Sequence, residues 1–374
     1  MKTGTFNGDR LRLLRQFHGM TQVELSEAVS VTQPTIAGYE AGKEPKADAM
    51  NEALASVLRV EPSFLTTPDD DLFAESEYNF RSVRSTSERL RKKLIAQAAL
   101  FGVAIRALKT HVPRLAVLDL PSCSVDQYGS TEGAALAARA HCGLPANSPI
   151  DSITTVLERA GVVVTVAQPD TEAKVDAFSR YGPTSVAVFN TAKGSSSRTF
   201  FDAAHELGHG VLHYRAPARP HDVREAEAQS FAADFLMPSQ AFRRSIFAKG
   251  HLDWKNLFEL KQYWNASAAA IIYRAYRLGL IDAVEYRRKY QDLSRRGWRT
   301  DEPHEREPEQ ATAFVSALAA YCKRTQQSTV DFAKSLGISP SLFSEVTGVP
   351  VSQAATGVIA LSAHRERKRK TPEP

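Results

Sequence analysis

Residues 200–214 read FFDAAHELGHGVLHY, and no other stretch restricts the fold and chemistry of the chain as tightly. His205 and His209 are four apart. On a helix they share one face, with Cβ atoms roughly 5–6 Å apart, so both imidazoles can hold one metal ion. Glu206 is turned about 100° from His205 around the axis, where its carboxylate can act on a metal-bound water instead of the ion. Ala203, Ala204, Leu207, Val211 and Leu212 suit a buried helix, with Asp202 as its cap. Taken alone, the pattern also suits a helix whose histidines only pack or cap. His213 continues the stripe but rises roughly 12 Å beyond His205, too far to share an ion with both. Packing, or orienting a neighbour, is its expected role.

A zinc hydrolase needs three protein ligands and one open position for water. Pro217 and Pro220 stop the first helix, and a second, containing REAEAQSFAADFLMP, begins near Asp222. Glu227, one turn before Phe231, is the expected third ligand, with Glu225 the alternative. Upstream, residues 162–167, 175–180 and 185–190 read as strands, the first and third being continuous apolar runs of the kind buried on both faces. A flexible loop follows at 193–197. Tyr181, Tyr214 and His213 are candidates for an oxyanion donor by residue type alone.

The first 66 residues have a different character. Short helical segments are punctuated by His18-Gly19-Met20, by Ser30-Val31 and by Gly42. Thr21 and Glu24 have capping-box spacing, and Thr32 reads as a second N-cap, followed by Pro34 in the first turn. Two short helices on a tight turn form a helix-turn-helix whose second helix can enter the DNA major groove. Gln22, Thr32, Gln33 and Thr35 are the candidate base-reading residues, since Gln pairs with adenine and Thr touches a thymine methyl. Arg10, Arg15, Lys43 and Lys46 are candidates for phosphate contacts. A small helical adaptor that binds protein instead is the alternative.

Two resemblances follow from these motifs. MTQVELSEAVSVTQPTIAGYEAGKEPKADAMNEALASVL resembles the Cro/C1-type (XRE family) helix-turn-helix. The set LERAGVVV, VDAFS, HELGHGVLH and EAEAQSFAADFLMP resembles the ImmA/IrrE family of metallopeptidases. The second resemblance implies Zn2+, a gluzincin-like site with His205 and His209 as ligands, Glu206 as general base and Glu227 as third ligand. It also implies a cytoplasmic peptidase that cuts a repressor or other regulatory protein. The first implies double-stranded DNA as partner, at an operator, and a homodimer.

Length and charge fit that picture. At 374 residues, with ~150 per domain as a guide, the chain has room for two or three domains. A net charge of +5 permits nucleic-acid binding. Three scattered cysteines (Cys123, Cys142 and Cys322) argue for a reducing compartment and against a cysteine-built zinc site. The N-terminus lacks the apolar core of a signal peptide, and no run reaches the ~18 apolar residues of a membrane span. A cytoplasmic, nucleoid-associated location is expected.

The expected architecture is multidomain, mainly α with a small β-sheet. It comprises an all-α head at 1–66, a linker and connecting helix at 67–120, and a metallopeptidase body at 121–299. A charged linker at 300–310, a small helical module at 311–362 and a basic tail at 363–374 complete it. The connecting helix, apolar on one side and basic on the other, reads as a solvated helix docked to the body, a dimerising helix or a second DNA-facing surface. The expected function is a transcription regulator whose zinc endopeptidase cleaves a repressor, a partner or the chain itself. The alternatives are a regulator whose peptidase-like body is a non-catalytic sensor, and a toxin–antitoxin component.

Overall fold

The computed structural model describes residues 5–67, 78–80 (backbone only), 87–112, 120–166, 177–182, 184–189, 196–299, 301–307 and 309–353. The head is α1 (Gly8–Phe17), α2 (Gln22–Ala28), α3 (Gln33–Glu40) and α4 (Asp48–Leu58), closed by a 3-10 turn at Pro62–Thr66. Thr21 and Glu24 form the expected capping box of α2. Thr32 does not cap α3 with its side chain; its hydroxyl lies 2.9 Å from that of Thr35. Leu11, Leu14, Leu25, Ile36, Leu54 and Leu58 are fully buried and hold the four helices together.

Then come β1 (Tyr78–Phe80) and the 24-residue α5 (Glu88–His111). Read as a two-sided helix, α5 is instead buried nearly all round between Leu94 and Leu108, as a helix inside a core must be. Its basic residues lie at the two ends, Arg89, Arg91, Lys92 and Lys93 in the first two turns and Arg106 and Lys109 near the last. The helix is a spine, not a linker.

The body contains α6 (Val125–Tyr128), α7 (Thr131–His141), α8 (Ile153–Arg159), β2 (Val162–Val166), β3 (Ala177–Arg180) and β4 (Ser185–Phe189). It continues through α9 (Ser196–His213), α10 (His221–Leu236), α11 (Ser239–Phe247), α12 (Trp254–Trp264), α13 (Ala268–Arg277) and α14 (Ala283–Arg295). The four strands lie in the order β1-β3-β4-β2. β3 is antiparallel to both its neighbours, and β4 is parallel to β2. Alternation along the strands sends Val163, Phe178, Val186 and Val188 into one core, and Val162, Val164, Ala177, Ala187 and Phe189 into another. Both faces are covered, which explains the continuous apolar runs.

The C-terminal helices α15 (Ala313–Thr325), α16 (Thr329–Ser335) and α17 (Pro340–Thr347) fold back onto the head and the spine. Val60 and Ile338 form a β-bridge, the Glu61 N–H donates to Gly337 O at 2.7 Å, and the Ser339 N–H donates to Arg59 O at 3.0 Å. Arg59 grips Glu345 with two guanidinium nitrogens at 2.7 Å. Phe101 of α5 meets Phe314 of α15 at 4.8 Å between ring centres. Head, spine, C-terminal helices and one sheet face thus share a single hydrophobic core.

The charged run expected as a linker at 300–310 is a strap pinned to the body. Lys261 Nζ, 2% exposed in its side chain, meets Glu302 at 2.9 Å and Glu305 at 2.7 Å. Glu305 also accepts from the Ser197 hydroxyl, and Glu309 from the Thr154 N–H. The basic tail, Arg81, Arg84 and the start of the 193–197 loop lie outside the described residues. Among those described, no helix is long and apolar enough to cross a membrane.

Candidate metal centre and DNA-facing surface

Helix α9 is buried almost throughout and packs against α10 and β3. Two glycines allow this closeness. A Cβ on Gly208 would come within 3.0 Å of the Phe231 ring and 3.3 Å of Ala228 Cα; one on Gly210 would sit 2.4 Å from the Tyr181 ring. Tyr181 is 4% exposed and donates its hydroxyl hydrogen to the Glu206 carbonyl, so it cannot yield. Gly210→Ala is expected to cost about 1–3 kcal/mol by overpacking. A fall in the thermal unfolding midpoint checks it; an unchanged midpoint would mean that α9 and β3 are not packed this closely.

The histidine stripe points at the start of α10. Nε2 of His205 and Nε2 of His209 are 3.1 Å apart. The Glu225 carboxylate approaches the first at 3.4 Å and the second at 3.2 Å. A tetrahedral ion with bonds of ~2.0–2.1 Å separates its ligand atoms by ~3.3–3.4 Å, so the three donors suit one divalent cation. Both histidines are buried, and Glu225 is 28% exposed in its side chain, leaving an approach from solvent. Burial pushes the pKa of His209 down to about 4, so at neutral pH the ring is uncharged, as a ligand must be. Burial also penalises the Glu225 carboxylate, but hydrogen bonds and charge from the two histidines override it and hold its pKa well below the usual range.

Glu227, the expected third ligand, is not at this point. Two positions apart on a helix means roughly 200° around the axis, so Glu225 and Glu227 cannot face the same spot. Glu227 instead accepts from His213 at 3.0 Å and from Arg219 at 2.7 Å. His213 in turn lies 3.2 Å from His209, Nδ1 to Nδ1. Arg219 closes the chain on Asp126. His213 is therefore where an orienting residue belongs, and Glu227 stands behind it.

Glu206 is 0% exposed, and Ser179 of β3, equally buried, donates its hydroxyl hydrogen to Glu206 Oε2. Sequence reasoning did not single out Ser179. The available signal was a lone hydroxyl in an apolar strand, on the side of Ala177 that faces the body. The Tyr181 hydroxyl is committed to a backbone carbonyl and is no oxyanion donor, and His213 is engaged on both ring nitrogens. Tyr214 stands 39% exposed. Asp202, expected as a cap, is inside a helix that already starts at Ser196.

In the head, α2 and α3 make the helix-turn-helix. Gln33 donates to Gln22 at 2.7 Å, and Gln22 donates to the buried Glu40 at 2.9 Å. Arg15 clamps the same carboxylate at 2.5 and 3.0 Å. Gln22 and Gln33 thus form a braced pair, with Thr32 and Thr35 beside them and Lys43 and Lys46 exposed after the helix. Arg10 and Arg15, expected at phosphates, are structural. Arg10 is 3% exposed and lies 4.4 Å from the centre of the Phe64 ring, and Arg15 is held by Glu40 and the Met20 carbonyl.

Comparison with known families agrees with this division. Residues 11–65 match a helix-turn-helix family, and residues 157–276 match the IrrE N-terminal-like domain of the M78 peptidases. No curated protein matches the chain. The match over 157–276 begins in α8 and ends in α13, so it spans the sheet strands β2 to β4, the histidine helix and its partner α10. The chain carries an XRE-type helix-turn-helix domain followed by an IrrE/ImmA-like, M78 peptidase-type domain.

Proposed function

We propose that the chain is a transcription regulator whose head binds operator DNA and whose body is a zinc-dependent endopeptidase acting in the cytoplasm. Its substrate would be a repressor, another regulatory protein or the chain itself. One observation carries the reading: Nε2 of His205, Nε2 of His209 and the Glu225 carboxylate converge within 3.1, 3.2 and 3.4 Å of one another, with a buried carboxylate, Glu206, next in sequence. Zinc, when bound, lowers the pKa of a coordinated water towards ~7 and polarises a peptide carbonyl. Glu206, steadied by Ser179, takes the proton of the attacking water and returns it to the leaving amine. His213 and Glu227 hold the His209 ring, the usual task of a group on a ligand's other nitrogen. A sensor reading keeps the ion but makes no cut; comparing protein termini between cells with wild type and with Glu206→Gln separates the two.

Binding by the head is testable on its own. Lys43→Gln and Lys46→Gln should each weaken binding of duplex DNA about equally across sequences and lower the slope of log K against log salt by about 1. Gln33→Ala should instead relax preference at one base pair, at about 1–3 kcal/mol. Equal salt slopes for wild type and both lysine variants would remove those residues from the DNA surface.

A further inference from the structure

We infer that the body carries a second binding site, for a small organic anion with an aromatic or apolar frame. It occupies a cavity of about 690 Å³ beside the two metal-site helices. That volume falls within the ~300–1,000 Å³ typical of drug-sized ligands. Its floor includes Phe201 and Asp202 of α9 and Gln229 of α10. Asp202 is one turn before His205, and Gln229 one turn after Glu225. None of His205, Glu206, His209 and Glu225 lines the cavity.

Aromatic walls and positive charge define what it would take. Tyr273 stands on α13, Tyr286 and Tyr290 on α14, and Trp298 on the turn that follows. The Tyr286 and Tyr290 rings are 4.7 Å apart, and the Tyr290 hydroxyl donates to Ala269 O at 3.1 Å, which fixes that wall. Arg198 and Arg299 also line the cavity. Two carboxylates could offset them. Glu302, however, is held through one carboxylate oxygen by Lys261 at 2.9 Å, a cation it shares with Glu305, and by the Ala268 N–H at 2.8 Å. Two arginines thus line the cavity beside Asp202 and a Glu302 whose Oε2 is already engaged. Guanidinium groups and aromatic rings lining one cavity select a ligand with a flat apolar frame and a carboxylate or phosphate. A ligand seated there would press on both helices that carry the candidate metal donors, whether or not the body is a peptidase.

The test uses the full-length protein and three charged probes, 3-phenylpropanoate, indole-3-acetate and phenyl phosphate, each beside an uncharged amide or alcohol analogue. Calorimetric titration and thermal unfolding are measured for wild type, Arg198→Gln and Arg299→Gln. At least one charged probe should bind saturably and raise the unfolding midpoint, while its neutral analogue does not. Each arginine variant should weaken that probe about tenfold or more, with its midpoint in the absence of probe unchanged. The inference is overturned if no charged probe binds wild type more tightly than its neutral analogue, or if both variants bind as wild type does. Should one variant unfold early, the other still decides.

Discussion

Glu206→Gln should slow cleavage of the target protein roughly 10²–10⁴-fold while the metal content stays at the wild-type level. The substitution keeps size and shape in a site with no exposure to spare, and Gln can still accept the Ser179 hydrogen through its amide oxygen. What it cannot do is take a proton from water. The rate therefore falls through chemistry, and unfolding midpoint and metal stoichiometry serve as controls. Ser179→Ala should lower the rate by a smaller factor, because it frees the carboxylate without removing it. If Glu206→Gln cleaves as wild type does, Glu206 is not the base.

The second large effect separates the two glutamates of α10. Glu225→Ala removes one of three converging donors and should leave the protein without stoichiometric zinc after dialysis against a weak chelator. Glu227→Ala leaves all three donors in place but deprives His213 of its partner. Metal affinity should then fall about 10–100-fold, the usual effect of losing a group behind a ligand. Elemental analysis with a competitive zinc titration reads both. The opposite order, zinc lost from Glu227→Ala and kept by Glu225→Ala, would return the ligand role to Glu227.

That choice marks the limit of what the sequence could reveal. The histidine helix, the capping box at Thr21 and the apolar strands at 162 and 185 are local patterns; the box and the strands stand where their patterns put them, while the helix starts earlier, at Ser196 instead of the cap expected at Asp202. The third donor depends on how α9 crosses α10, which is set by Gly208 lying against Ala228 and Phe231, a contact twenty residues distant in sequence. Spacing of carboxylates along one helix cannot supply that angle. The burial of the spine α5 is hidden from the local sequence for a similar reason. The helices that cover its outer side lie beyond residue 312, so its polar-looking half had no visible partner in the local sequence. The strap at 301–307 shows the ambiguity of charge: Glu302 and Glu305 look solvated until the buried Lys261 appears beneath them. Arg10 and Arg15 look available to DNA in the sequence because nothing local ties Arg10 to Phe64 or Arg15 to Glu40.

The most direct test of the whole account compares protein termini, by mass spectrometry, in cells producing wild type and cells producing Glu206→Gln at equal levels with equal bound zinc. The account predicts that a regulatory protein, or the chain itself, is shortened at a new terminus in the first and intact in the second. Identical sets of termini under every condition in which the regulator changes transcription would contradict it, leaving a metal-holding body that makes no cut.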